Sequence, residues 1–140
     1  MFNQQVDDRL SSWAQHRAQL DLSETPLQDV WDFWKSAPFI PYNSKVDPFF
    51  RFKWPSPWEI VVENKYDDFT KALMIAQSLK LTKKFQDSNI DIKILVDRTK
   101  NFTYNVVCVD NAWAINFDDI GPVPYDQIPE TLIENIINPF

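Results

Sequence analysis

The feature that most constrains this chain is a change of period after Asp87. Before it, apolar residues recur at the spacing that collects them on one face of a helix. After it, Ile90, Ile92, Ile94 and Val96 alternate with Asp91 and Lys93, which predicts a strand over 90–96. Asp97 to Asn101 turns the chain. Further strands are expected over 102–109 and 112–117, joined by Asp110-Asn111, a good two-residue hairpin loop. After Gly121, Pro122 and Pro124, the apolar set Leu132, Ile133, Ile136 and Ile137 predicts a last helix from about Pro129. The expected fold is α+β: N-terminal helices, a central helix packed on an antiparallel sheet of three or more strands, and a C-terminal helix.

The helical half has clear boundaries. Val6, Leu10, Trp13, Ala14 and Arg17 predict an amphipathic helix over about 6–20, with Asp8, Arg9, Ser12, Gln15 and Gln19 on its solvated face. Thr25, Pro26 and Gln28 form a Thr-x-x-Gln start with proline at the first position. The helix that follows has Leu27, Val30, Trp31 and Trp34 as its stripe and stops before Pro38. Ser56-Pro57-Trp58-Glu59 repeats that start signal for a short helix ending at Asn64. Asp67 or Asp68 then caps the central helix, whose buried face would be Phe69, Ala72, Leu73, Ala76, Leu79 and Phe85.

Between these helices, residues 38–55 carry Pro38, Pro41, Pro48 and Pro55 among Phe39, Tyr42, Phe49, Phe50 and Phe52. Disordered linkers are poor in aromatics, so this segment is expected to be an extended strap laid over the body with its rings buried. No composition break divides the chain. One domain is expected, comprising a helical pair (1–37), the strap (38–55), a helix-and-sheet core (56–119) and a tail with its helix (120–140). At 140 residues it can bury about two-thirds of its unfolded surface.

Composition excludes several function classes. A net charge of −6 is wrong for a nucleic-acid backbone, which needs clustered Lys and Arg. Lys80, Lys83 and Lys84, the nearest thing to a basic cluster, suit the end of a helix. One glycine against ten prolines leaves no glycine-rich phosphate loop, and hence no nucleotide cofactor of the usual kinds. One cysteine excludes an internal disulfide and a multi-cysteine zinc site. No apolar run suggests a secretion signal or a membrane span, so a soluble protein made in the cytosol is expected. Asp110, Asp118 and Asp119 lack the spacing of a calcium loop, and no metal is expected.

Little in the sequence advertises catalysis. Cys108 lies within a strand and His16 on the first helix, where a buried inert thiol and a surface imidazole are the ordinary readings. The doublets Asp67-Asp68 and Asp118-Asp119 point their neighbours in different directions, so neither is a ready-made acid–base dyad. The abundant rings are either core or contact surface. Trp31, Trp34, Phe49, Phe50, Trp54 and Trp58 are the candidates for contact.

Tyr66-Asp67-Asp68-Phe69, Ala72-Leu73-Met74, Ile92 to Val96, Asn105-Val106-Val107 and Trp113-Ala114-Ile115-Asn116 follow one another in an order that resembles the core of the transglutaminase-like, broadly papain-like, cysteine enzymes. The resemblance spans about a third of the chain. It implies that a nucleophile would stand at Asp67 or Asp68, a histidine at Tyr104 or Asn105, and an acid at Asn116 or Asp118. Neither Cys nor His occupies those positions, so it also implies a catalytically degenerate core, not an enzyme. Counting back from the two-residue loop pairs Val109 with Ala112 and sets Asn105 opposite Asn116, with Tyr104, Val106, Cys108, Trp113, Ile115 and Phe117 on the other face. Separately, Asp32-Phe33-Trp34, Trp54-Pro55-Ser56-Pro57-Trp58-Glu59 and Tyr66-Asp67-Asp68-Phe69 resemble stretches of small proteins of large tailed bacteriophages. The resulting expectation is a structural or assembly protein acting through contacts with other protein subunits, with no nucleic-acid or membrane partner. An atypical hydrolase or transferase, or a small peptide- or glycan-binding module, is the alternative.

Overall fold

In the computed structural model, which describes residues 1–140, four helices precede a five-stranded antiparallel sheet, an α+β fold. The helices are α1 (Val6–Leu22), α2 (Pro26–Trp34), α3 (Pro57–Glu63) and α4 (Asp68–Lys80). The strands are β1 (Ile90–Asp97), β2 (Phe102–Val109), β3 (Trp113–Asp118), β4 (Gly121–Pro124) and β5 (Ile133–Ile137), in the spatial order β4-β3-β2-β1-β5. No helix is long and apolar enough to cross a membrane.

α4 is the hub. Phe69, Ala72, Leu73, Ala76 and Leu79 are all buried, and so are Met74 and Ile75, because the helix is covered by the sheet on one side and by α1 and α2 on the other. Its start is fixed by Asp67, whose side chain accepts from the Thr70 N–H as an N-cap. α3 opens with the full capping box, Ser56 accepting from the Glu59 N–H and Glu59 from the Ser56 N–H. It closes at Asn64, which takes the left-handed conformation that asparagine tolerates.

Several expectations are corrected. Thr25 makes no side-chain cap to the backbone of α2; its hydroxyl and that of Ser23 both donate to the Asp29 carboxylate instead. On α1 the buried face is Trp13, His16 and Leu20, so Ala14 is exposed and His16, expected at the surface, is core. α4 ends at Lys80, well before Phe85. The expected C-terminal helix is β5: Leu132 to Ile137 satisfies helical spacing, but Ile92 and Ile94 of β1 need a ladder partner on their free edge. Ile137 and Asn135 supply it.

The strap is also corrected. Phe39, Tyr42, Phe49, Phe50 and Phe52 are exposed, Phe52 at 82%. Turn chemistry holds the segment in place without burying those rings. Asn43 and Asp47 accept from the Lys45 and Phe49 N–H groups, the Trp54 indole donates to the Asp47 carbonyl, and Val46 alone is fully inserted. Trp31 and Trp34, proposed as contact residues, are core as well, at 5% and 0% exposure, because they sit on the α2 face that packs on α4.

The sheet has two covered faces. Ile90, Ile92, Val107, Val109 and Ile115 join the main core under α4. On the reverse, Leu95, Val106, Cys108, Ala114, Val123 and Ile128 form a second cluster, against which Tyr125 and Leu132 from the β4–β5 connection pack. The hairpin register differs from the two-residue expectation. Asp110 and Asn111 both take positive φ, but Ala112 belongs to the loop, so Val109 pairs with Trp113 and Val107 with Ile115. Ile115 therefore faces α4 and is not beside Cys108.

Candidate functional site

The N-terminus of α4 and the open end of the β2–β3 hairpin meet at one carboxylate, Asp68. Asp67 and Asp68 divide the work. Asp67 is consumed by structure: one oxygen accepts from the Thr70 N–H at 2.8 Å and the Thr70 hydroxyl at 2.6 Å, and the other from the Asn43 N–H at 2.9 Å. It therefore ties the strap to the helix start. Asp68, at the first helical position, turns its carboxylate towards the sheet. Oδ2 accepts from Asn105 Nδ2 at 2.8 Å and Oδ1 from Asn116 Nδ2 at 3.3 Å. Lys71 Nζ lies 3.6 Å from Oδ1 and is itself 5.3 Å above the Trp31 ring.

The meeting of Asn105 and Asn116 follows from a bulge. The three-residue loop would bring Phe117, not Asn116, opposite Asn105. Asn116 adopts φ 70°, and the β3–β4 ladder is irregular between Ala114 and Asp118. That single left-handed residue returns the amide to the α4 face, where Nδ2 also donates to the Asn105 carbonyl at 2.9 Å. The pair expected from residue counting is thus in contact, by a different route. Tyr104 and Asp118 are not part of the triangle. The Tyr104 ring packs on Phe102 and Phe117, and Asp118 Oδ1 accepts from the Ile120 N–H.

Chemically the triangle is an ordering device. Two amides and an ammonium converge on a carboxylate at a helix N-terminus, which favours negative charge there. Amides donate and accept hydrogen bonds but do not relay protons as an imidazole does. The sole thiol is not nearby: Cys108 lies in the reverse-face cluster, where burial pushes it up to about 12. His16 lies on α1, where burial pushes the imidazole down to about 4. No three or more His, Cys, Asp or Glu side chains gather as a metal-binding group.

Asp68 separates two clefts. One, of about 490 Å³, runs under the strap between Tyr42, Phe49, Asp67, Phe69 and Asn105. The other, of about 430 Å³, lies on the β3 side and is lined by Phe102, Tyr104, Phe117, Asp118 and Asp119 together with Lys71 and Asn116. The largest hollow, about 660 Å³, is remote from both, between the start of α2 and the β2–β3 loop, where Leu27, Phe85, Trp113 and Pro122 line it. Among the remaining contact candidates, Phe49, Phe50 and Trp58 are exposed. Trp54 is half-buried against Phe69. Trp58 lies edge-on to Trp13 and close to Arg17.

The rings of Phe39, Phe52 and Phe102 are exposed as well; Phe39 follows Pro38, Phe52 lies within the strap, and Phe102 opens β2. Comparison of the chain with protein-family models, with curated proteins and with solved structures finds no match.

Proposed function

We propose that this protein works by contact and not by turnover, as a structural or assembly component that docks on other protein subunits, such as those of a tailed-phage particle. The observation that carries the reading is the strap. Phe39, Tyr42, Phe49, Phe50 and Phe52 lie exposed along one short segment, whose backbone is hydrogen-bonded to the side chains of Asn43, Asp47 and Asp67. Several exposed rings gathered in one short segment are costly to leave in water, and aromatic side chains are the usual anchors of a protein interface.

The test is a native pull-down with mass identification, run beside the Phe49→Ser/Phe52→Ser double variant. The expected result is a stoichiometric protein partner that the variant loses while its melting temperature is unchanged. A chain that stays monomeric and retains nothing overturns the reading, as does a partner the variant keeps.

A second reading has one observation in its favour, the convergence of Asp68, Asn105 and Asn116 at positions the cysteine-enzyme resemblance pairs. It makes the chain a hydrolase or transferase with an atypical site, for which the Asp68 carboxylate would have to attack or take up a proton. Turnover of activated ester or amide substrates that disappears in Asp68→Asn would establish it, and none is expected here.

A further inference from the structure

The cleft on the β3 side of Asp68 has a composition that the strap does not share. One wall is an aromatic ladder: the ring centroids of Phe102 and Tyr104 are 4.6 Å apart, and those of Tyr104 and Phe117 are 5.0 Å apart. Phe102 is 54% exposed, so the ladder opens to solvent at its outer end, while Tyr104 and Phe117 are half-buried against the reverse-face cluster. Asp118 and Asp119 line the same cleft, with Asp68 at its junction with the helix. No ion pair engages Asp118 or Asp119. Lys71, the one cation in the lining, is already held between Asp68 and the Trp31 ring.

These groups select one kind of occupant. Aromatic faces attract cations through the ring quadrupole, and carboxylates beside them add direct charge attraction. The chain's charge of −6 draws cations towards the surface and repels anions. The carboxylates do not gather into a metal-binding group, whereas the volume is within the range of organic ligand pockets. We propose that this cleft binds a cationic side chain, lysine or arginine, presented by a protein partner. The site lies across Asp68 from the strap and stands on its own observations, so it holds whether or not the strap is an interface.

A chemical-shift titration of the full ¹⁵N-labelled chain tests it, using blocked Gly-Lys-Gly and Gly-Arg-Gly peptides with Gly-(acetyl-Lys)-Gly as the neutral isostere. The expected result is saturable shifts confined to Phe102, Tyr104, Phe117 and Asp119, in the millimolar range, with about tenfold weaker binding of the acetylated peptide. Asp118→Asn/Asp119→Asn should weaken lysine-peptide binding about tenfold, while Asp7→Asn/Asp8→Asn on α1 leaves it unchanged. The Asp118→Asn change keeps a side-chain oxygen for the Ile120 N–H, and Asp119 is exposed, so the fold is not at risk. Absence of shifts, equal binding of the acetylated peptide, or equal loss in both double variants would each overturn the proposal.

Discussion

The indole nitrogens of Trp13 and Trp34 converge on one hydroxyl: both donate to Ser78 Oγ, at 2.9 and 3.0 Å, and Ser78 donates in turn to the Met74 carbonyl at 2.7 Å. All three side chains are fully buried. An indole offers one donor and no acceptor, so in a dry core each ring must lie where that donor is met. Ser78 thereby fixes how α1 and α2 sit on α4, and through α4 it sets the frame on which Asp67 and Asp68 are presented.

Ser78→Ala is expected to cost about 3 kcal/mol, because it orphans two buried donors at once while removing a single oxygen. Urea denaturation should show a lower midpoint with an unchanged slope. A loss no larger than that of an ordinary surface serine would mean the indoles find other partners.

His16 stacks flat on Phe33, with centroids 3.8 Å apart, and its Nε2 is buried without a partner. Burial lowers its pKa to about 4, Asp29 opposing and Arg17 assisting. The unfolded imidazole titrates near 6.5, so below that pH the unfolded chain takes up a proton the folded chain refuses. Stability should therefore fall from about pH 6.5 down to about 4 and level off below it, by roughly 3 kcal/mol. Carboxylates titrate in part of the same window, and subtracting the profile of His16→Leu isolates the imidazole. Superimposable profiles for the two chains would sink the assignment.

The same residues show what a sequence can and cannot reveal. Capping chemistry is local, so the start of α3 at Ser56 and of α4 at Asp67 could be read directly. Alternation along β1 was legible because Ile90, Ile92 and Ile94 are buried on one face while the polar Asp91 and Lys93 mark the other; β2, buried on both faces from Asn105 to Val109, has no such alternation. The identity of 133–137 was not, because the aliphatic residues Leu132, Ile133, Ile136 and Ile137 fit a helix face and a strand equally well. The open edge of β1 decides, and that is a tertiary fact. β4 was hidden by its prolines, which an edge strand tolerates and a central one does not. The burial of His16 likewise depends on where Phe33 lands. The Asn105–Asn116 contact was reached from an incorrect loop length, and the bulge that compensates for it leaves no trace beyond the tolerance of asparagine for positive φ.

Asn116 combines that conformation with the amide that binds Asp68 and the Asn105 carbonyl. Asn116→Gly keeps the backbone and loses the amide, which should cost about 1 kcal/mol. Asn116→Val loses the amide and also places a β-branched residue at φ 70°, adding about 1–2 kcal/mol. If the two variants are equally stable by thermal denaturation, the bulge is not held in the left-handed conformation.

Gly121 is the only glycine, and two separate effects forbid a side chain there. Its φ is +135°, a region essentially closed to other residues, and a Cβ would stand 2.4 Å from Gln28 Oε1 and 2.8 Å from Nε2. The two effects differ in size. Gln28 reaches Gly121 with the end of a flexible side chain, which can swing away by giving up its bonds to Asp32 Oδ1 and the Ile120 carbonyl. Those bonds are exposed and together contribute about 1 kcal/mol at most. The backbone conformation cannot be relieved that way, because β3 and β4 meet at the Asp118–Gly121 pair. Gly121→Ala is therefore expected to cost about 2–3 kcal/mol, of which roughly 2 should persist in a Gln28→Ala background. A double-mutant cycle by urea denaturation separates the contributions. Near-complete rescue by Gln28→Ala would show the contact, and not φ, to be the reason for glycine at this turn.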